Sequence, residues 1–180
     1  MSSEALMTPD QAQTRVPIRL LALDVDGVLT DGGIMLDDLG HEMKRFCAAD
    51  GVGLRAWARV GLRSAVITGR RGRALLHRLA ELGVTEVIQG SGDKAASLAE
   101  LEQRSGVPRA QIAFLGDDWP DLPVLRAVGY PMAPANADGR VKAVARFVTP
   151  RGGGHGAVRD AVEHLLEREG LMEKAVGLYS

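Results

Sequence analysis

Two aspartates, Asp24 and Asp26, stand one residue apart just after an apolar run and are followed by Gly27. Later in the chain come Thr68-Gly69-Arg70, then Lys94, then Gly116-Asp117-Asp118 with Asp121 close behind. Carboxylates are hard oxygen ligands suited to Mg²⁺, which takes few protein ligands and keeps waters. A threonine hydroxyl with the free amide of Gly69 can cradle phosphate oxygens, and a lysine adds a point charge. Gathered in one place, these residues suit phosphoryl transfer.

Gathering them requires a particular scaffold. Each group closes a short run that is nearly all apolar: Ile18 to Leu23, Ser64 to Ile67, Glu86 to Ile88, and Ile112 to Leu115. Such runs are too short for helices and read as strands buried on both faces of a parallel sheet. Between them lie helix-period stripes: Leu75, Leu76, Leu79 and Leu82, closed by Gly83; then Ala95, Leu98 and Leu101; and later Val158, Val162, Leu165 and Leu166. Strand–helix alternation predicts an α/β fold, a doubly wound, mostly parallel sheet of Rossmann-like type. In such sheets ligands bind outside the carboxyl ends of the strands, where these polar residues fall. One stretch departs from the alternation. Ile34-Met35-Leu36, a turn at Asp37-Asp38-Leu39-Gly40, and Glu42 to Phe46 predict a β-hairpin flap after the first strand. A helix from about Asp50 to Gly61 follows it.

Composition bounds the alternatives. The chain has 180 residues, 22 basic against 23 acidic, and 46% hydrophobic residues. The balanced charge argues against a sequence-independent nucleic-acid binder, and the apolar runs are far short of the ~20 residues that span a bilayer. Cys47 is the single cysteine, so no internal disulfide forms, and a cytoplasmic setting fits. Residues 1–17 are polar and read as a loose leader, residues 18–170 as one domain, and residues 171–180 as a tail. A calcium loop starting at Asp24 fails, because Val28 and Met35 stand where oxygen ligands belong. Gly51-x-Gly53-x-x-Ala56 follows no strand and does not read as a dinucleotide fingerprint. His41, His77, His155 and His164 lack metal-ligand spacing.

In type, spacing and order, Asp24-Val25-Asp26-Gly27-Val28-Leu29-Thr30-Asp31-Gly32, Thr68-Gly69-Arg70, Lys94 and Gly116-Asp117-Asp118-Trp119-Pro120-Asp121 resemble the four motifs of the haloacid dehalogenase-like phosphatases. The segment from Phe46 to Gly51 and the glycine-rich one from Arg151 to Asp160 are similar to those of a subgroup acting on 3-deoxy sugar-acid phosphates for lipopolysaccharide. The resemblance implies Asp24 as nucleophile and Asp26 as acid/base. It implies Mg²⁺ held by Asp24, the backbone carbonyl of Asp26, and Asp117. Substrate and phosphate contacts fall to Asp26, Asp50, Gly51, Arg55, Thr68, Gly69, Arg70, Arg78 and Lys94. Arg71, Arg73 and Arg104 read as solvated helix faces. Subgroup members usually carry arginine where this chain has Ala49, an exchange that bears on the sugar rather than on phosphoryl chemistry. An acylneuraminate or deoxynonulosonate phosphate is the alternative substrate.

Other classes fit less well. A receiver domain would need an aspartate closing the third strand, where the chain has Gln89-Gly90. A silent oligomerisation module would have lost one of Asp24, Asp26 and Asp117. The gaps between motifs, 42, 26 and 23 residues, leave no room for a cap domain. The resemblance therefore implies a homotetramer with Ile34, Met35 and Leu36 at its interfaces. Gly152 to Gly156 reads either as a linker into the last helix or as a tail closing a site.

Overall fold

A computed structural model describes residues 15–179, so most of the expected leader over residues 1–17 lies outside the described residues. Six strands form one sheet: β1 (Leu20–Leu23), β4 (Arg63–Thr68), β5 (Glu86–Gln89), β6 (Ile112–Leu115), β7 (Tyr130–Ala133) and β8 (Phe147–Val148). Their order is β5-β4-β1-β6-β7-β8, and every pairing is parallel. The chain thus winds outward from β1 to β5, then crosses back to β6 and winds the other way. The reversal falls between β1 and β6, whose carboxyl ends carry Asp24 and Asp117.

The central strands β1 and β6 are buried along their whole length, and their side chains alternate between two cores. Leu21 and Leu23 face α1 (Ala48–Arg59), α2 (Arg73–Glu81) and α6 (Ala157–Arg168). Leu20 and Ala22 face α3 (Lys94–Ser105), α4 (Leu122–Leu125) and α5 (Gly139–Val144). Trp57 is fully buried on α1 and donates its indole N–H to the Arg63 carbonyl at 2.7 Å, so its one polar atom is satisfied.

The helices follow the apolar stripes with adjustments. Leu75, Leu79 and Leu82 are buried while Leu76 is exposed. On α3 the inner face is Lys94, Ser97, Leu98 and Leu101, and Ala95 points outward. Asp93 caps that helix, accepting the N–H groups of Ala95 and Ala96, which fixes Lys94 as its first residue. Positions i, i+4 and i+7 share one face, so burying Leu98 and Leu101 aims Lys94 at the sheet edge. The helix expected from about Asp50 begins two residues earlier, at Ala48.

One expectation changes. Residues 171–180, read as a tail, carry α7 (Met172–Gly177), whose Ala175 is buried in the core shared with α1 and α6. The Gly152 to Gly156 segment leads into α6 and is tied down rather than loose. Gly154 donates to the Val28 carbonyl at 3.1 Å, and a Cβ on Gly153 would lie 1.9 Å from the Gly27 carbonyl oxygen. Only glycine permits that approach, so the segment is a fitted part of the sheet edge. The hairpin forms as expected from β2 (Met35–Leu36) and β3 (Glu42–Met43). It carries exposed apolar residues, with Ile34, Leu36 and Met43 more than half exposed and Leu39 at 82%.

Candidate active site

The strand ends deliver Asp24, Asp117 and Asp121 to one point, each offering a carboxylate oxygen within 4.8 Å of the others. Asp24 follows β1 directly and is buried. The chain then turns at Gly27, whose φ of +86° favours glycine. A Cβ there would lie 2.0 Å from Asp117 Oδ2, so the same glycine also makes room for the carboxylate arriving from β6.

Asp121 sets the second loop. Its Oδ2 accepts the backbone N–H of Asp117 at 2.9 Å and of Asp118 at 3.3 Å, while Asp118 caps the following turn by accepting the Trp119 N–H at 2.8 Å. Its Oδ1 lies 2.6 Å from Lys94 Nζ, which also stands 3.0 Å from Asp24 Oδ1. Lys94 therefore bridges the two strand ends. Burial works against its ammonium, but the charges of Asp24 and Asp121 outweigh that and hold its pKa above the ordinary lysine value.

Three carboxylates against one cation leave an excess of negative charge. Burial, then repulsion from Asp121, pushes Asp24 up to about 6 despite Lys94. Burial, then Asp24 and Asp121, pushes Asp117 up to about 7. Asp117 Oδ1 is buried with no hydrogen-bond partner among the described residues. An orphaned carboxylate oxygen in a cluster of hard oxygen donors is the condition a divalent cation relieves, so these residues fit a magnesium ion.

Asp26 takes a different direction. Its carboxylate stands outside that three-residue cluster and meets Lys44 Nζ at 2.5 Å through Oδ1, with Arg70 Nε 3.7 Å from Oδ2. Glu42 joins them, 3.3 Å from Lys44 and 2.7 Å from Arg70 Nη2. Thr68, buried at the end of β4, accepts the Arg70 N–H at 3.3 Å, and Gly69 lies between them. A cleft of about 290 Å³ is lined by Asp24, Asp26, Gly32, Lys94, Asp117, Asp118, Pro120 and Asp121.

The remaining expected contacts do not line this cleft. Asp50 is 2% exposed, and its Oδ1 accepts the Arg159 N–H at 2.9 Å in the first turn of α6. Burial raises its pKa against that hydrogen bond. Arg78 pairs with Glu81 at 3.0 Å, and a Cβ on Gly51 would collide with its guanidinium. Arg55 is exposed on α1.

Two residues that sequence reading passed over hold the site together. Asn136 donates from Nδ2 to the Gly27 carbonyl at 3.1 Å and accepts the Gly153 N–H at 2.7 Å. Two residues on, the Asp138 N–H donates to the Asp117 carbonyl at 2.9 Å. Asn136 closely follows β7, so recognising that strand would have placed it at the same edge. Lys44 carries no such signal, because nothing in its spacing from Asp26 says that the hairpin folds back.

The profile of the haloacid dehalogenase-like hydrolases matches residues 61–159. The 3-deoxy-D-manno-octulosonate 8-phosphate phosphatase of Escherichia coli K12 is 39% identical over 160 residues, 89% of this chain and 85% of that one. A crystal structure of the Moraxella catarrhalis enzyme of that name, with magnesium, phosphate and the sugar acid bound, superposes with a TM-score of 0.87. It is 36% identical and covers 91% of this chain and 94% of its own. The Yersinia pestis structure of that name gives a TM-score of 0.86 at 38% identity, covering 92% and 89%. With relatives this similar along nearly the whole length, and with the strand order and acidic edge described above, the chain belongs to the haloacid dehalogenase-like hydrolase family.

Proposed function

We propose that this protein is a Mg²⁺-dependent phosphatase that hydrolyses 3-deoxy-D-manno-octulosonate 8-phosphate to the free sugar acid and phosphate, as a homotetramer in the cytoplasm. The observation that carries the chemistry is Lys94 held between Asp24 and Asp121 beside the orphaned oxygen of Asp117. The substrate follows from the named relatives and from the product-bound neighbour.

In this reading Asp24 is the nucleophile. One of its carboxylate oxygens bonds to phosphorus as the bond from phosphorus to the sugar oxygen breaks. Asp26 gives the departing oxygen its proton. The resulting aspartyl-phosphate is opened by water, which Asp26 deprotonates, releasing phosphate and restoring Asp24. Lys94 offsets charge on the phosphoryl oxygens, and Thr68 with the Gly69 amide takes the others. Arg70, at the same edge, joins the grip on the substrate, and Arg55 and Arg78 extend the substrate contacts beyond the cleft, while Asp50 and Gly51 are buried and serve the packing of α1 against its neighbours. Asp24, the Asp26 carbonyl and Asp117 would hold the magnesium ion, and Asp121 keeps the Asp117 loop in place. Once bound, that ion supplies the positive charge that lets an anionic carboxylate approach an anionic phosphate.

The homotetramer is supported by the apolar hairpin and by the lack of a cap among the described residues, since an open cleft gives a small sugar acid little enclosure. The deciding experiment is phosphate release with Mg²⁺ from 3-deoxy-D-manno-octulosonate 8-phosphate and from p-nitrophenyl phosphate. A preference of several decades in kcat/KM for the sugar acid supports the reading, and equal, poor rates refute the assigned substrate. Asp24→Asn is expected to abolish turnover, and Asp26→Asn to slow it by roughly 10²–10⁴-fold. Undiminished activity in either variant refutes the corresponding role.

A further inference from the structure

We propose that Lys44 is a positioning residue for the reaction: from the hairpin, its ammonium fixes the Asp26 carboxylate in the orientation that serves the leaving oxygen. This rests on the phosphatase reading above and adds to it a residue outside the catalytic motifs.

The hairpin is mostly a solvent-facing element, yet its second arm alternates. Met43 and Arg45 are exposed, whereas Glu42, Lys44 and Phe46 turn inward, as a period of two requires. Phe46 packs on the core and anchors the arm. The Lys44 side chain is only 5% exposed, and its ammonium ends 2.5 Å from Asp26 Oδ1. Enclosing a lysine carries a desolvation cost that an apolar residue would avoid. That cost has a local counterpart only in the carboxylates it meets.

Of the two, Glu42 already has a partner in Arg70 at 2.7 Å, closer than its 3.3 Å to Lys44. Asp26 is left as the principal counter-charge of Lys44. Arg70 Nε sits at 3.7 Å, too far for a hydrogen bond, so Lys44 alone of the two makes a directional bond to Asp26. By rotation about Cα–Cβ an aspartate carboxylate can swing toward the Asp24 cluster or away from it. A short charge-assisted hydrogen bond from a nearly buried lysine selects one of these orientations. Proton transfer depends on that geometry, where a displacement of about 1 Å can cost about 10²-fold.

The test compares kcat/KM of the wild type, Lys44→Met and Lys44→Arg on two substrates at saturating Mg²⁺. A sugar alkoxide needs a proton to leave, whereas nitrophenolate leaves without one. Lys44→Met is expected to lose about 10–100-fold on 3-deoxy-D-manno-octulosonate 8-phosphate and less than about threefold on p-nitrophenyl phosphate. Lys44→Arg, which keeps a donor and a charge, should recover most of the loss. Lys44→Gln repeats the measurement should the Met variant fold poorly, with the same pattern expected. Arg45→Ala, which removes an exposed hairpin charge, should leave both rates unchanged. Equal losses on the two substrates, or none on either, overturn the positioning role while leaving the phosphatase reading intact. A wild type inert toward both substrates overturns that reading, and the positioning role with it.

Discussion

Without its cation, the acidic edge should cost the fold stability, and Asp117→Asn measures how much. Asp117 titrates at about 7 rather than at the ordinary 3.8. The folded chain therefore holds a proton on this residue between those values while the unfolded chain has released it. The sign follows directly: stability of the metal-free protein falls as pH rises through that window and is lowest above it. The full displacement corresponds to about 4 kcal/mol at 1.36 kcal/mol per pH unit. Asp117 is partly open to solvent and shares its charge with Asp24, which reduces the figure to about 1–3 kcal/mol. Asparagine keeps the shape and removes the charge. Urea unfolding at pH 8 with a chelator should find Asp117→Asn more stable than the wild type by that amount. For a chain of this length the gain is about 3–10 °C in Tm. At pH 4 the two should nearly coincide, because the wild-type carboxyl is then neutral in the folded state. Added Mg²⁺ should stabilise the wild type by mass action and do much less for the variant. A variant equally or less stable at pH 8 without metal refutes the claim that repulsion accumulates here.

Lys94→Met leaves Asp24 and Asp121 buried without their shared cation. It should lower stability by about 3–5 kcal/mol at pH 8, and by less at pH 5, where Asp24 takes up a proton; pH-independent loss in urea titrations would argue against the bridge. Asp50→Ala removes the acceptor for the first turn of α6 and is expected to cost about 1–3 kcal/mol, read by thermal unfolding; an unchanged melting curve would deny it that role. Sedimentation velocity should give a tetramer for the wild type and smaller species for Leu36→Glu. A strictly monomeric active wild type would contradict the assembly.

Which parts of this molecule could be seen in advance depended on whether chemistry and periodicity coincided. The strands before Asp24, Thr68 and Asp117 were legible because each is a short apolar run cut off by a polar residue. Strands β7 and β8 were not. Pro131 lies inside the first, where a missing N–H ordinarily argues against an interior strand, and the second is only two residues long. Missing β7 also hid Asn136. The carboxylates of the cluster were legible as a set, but Asp121 emerged as the partner of Lys94 only in three dimensions. Asp50 shows the opposite case. It sits within a segment similar to a substrate-binding motif, while its carboxylate is engaged with a helix that starts more than a hundred residues later.

That separation has a consequence for how the protein is made. The turn carrying Asp26 and Gly27 is completed by contacts with Asn136 and Gly153, the first bridging 109 positions of the chain. Closing a loop of that length comes late, since its entropy is recovered only when the far segment has somewhere to dock. A ribosome that has delivered every residue of the four motifs has still not delivered the glycines that seat the first of them. A nascent chain carrying all four motifs but not Gly153 is therefore expected to lack the seated turn that phosphatase activity needs. Competence is expected only with the last part of the sheet edge, so that chains ended before Gly153 should be inert rather than indiscriminate, which phosphate release from such truncations would check.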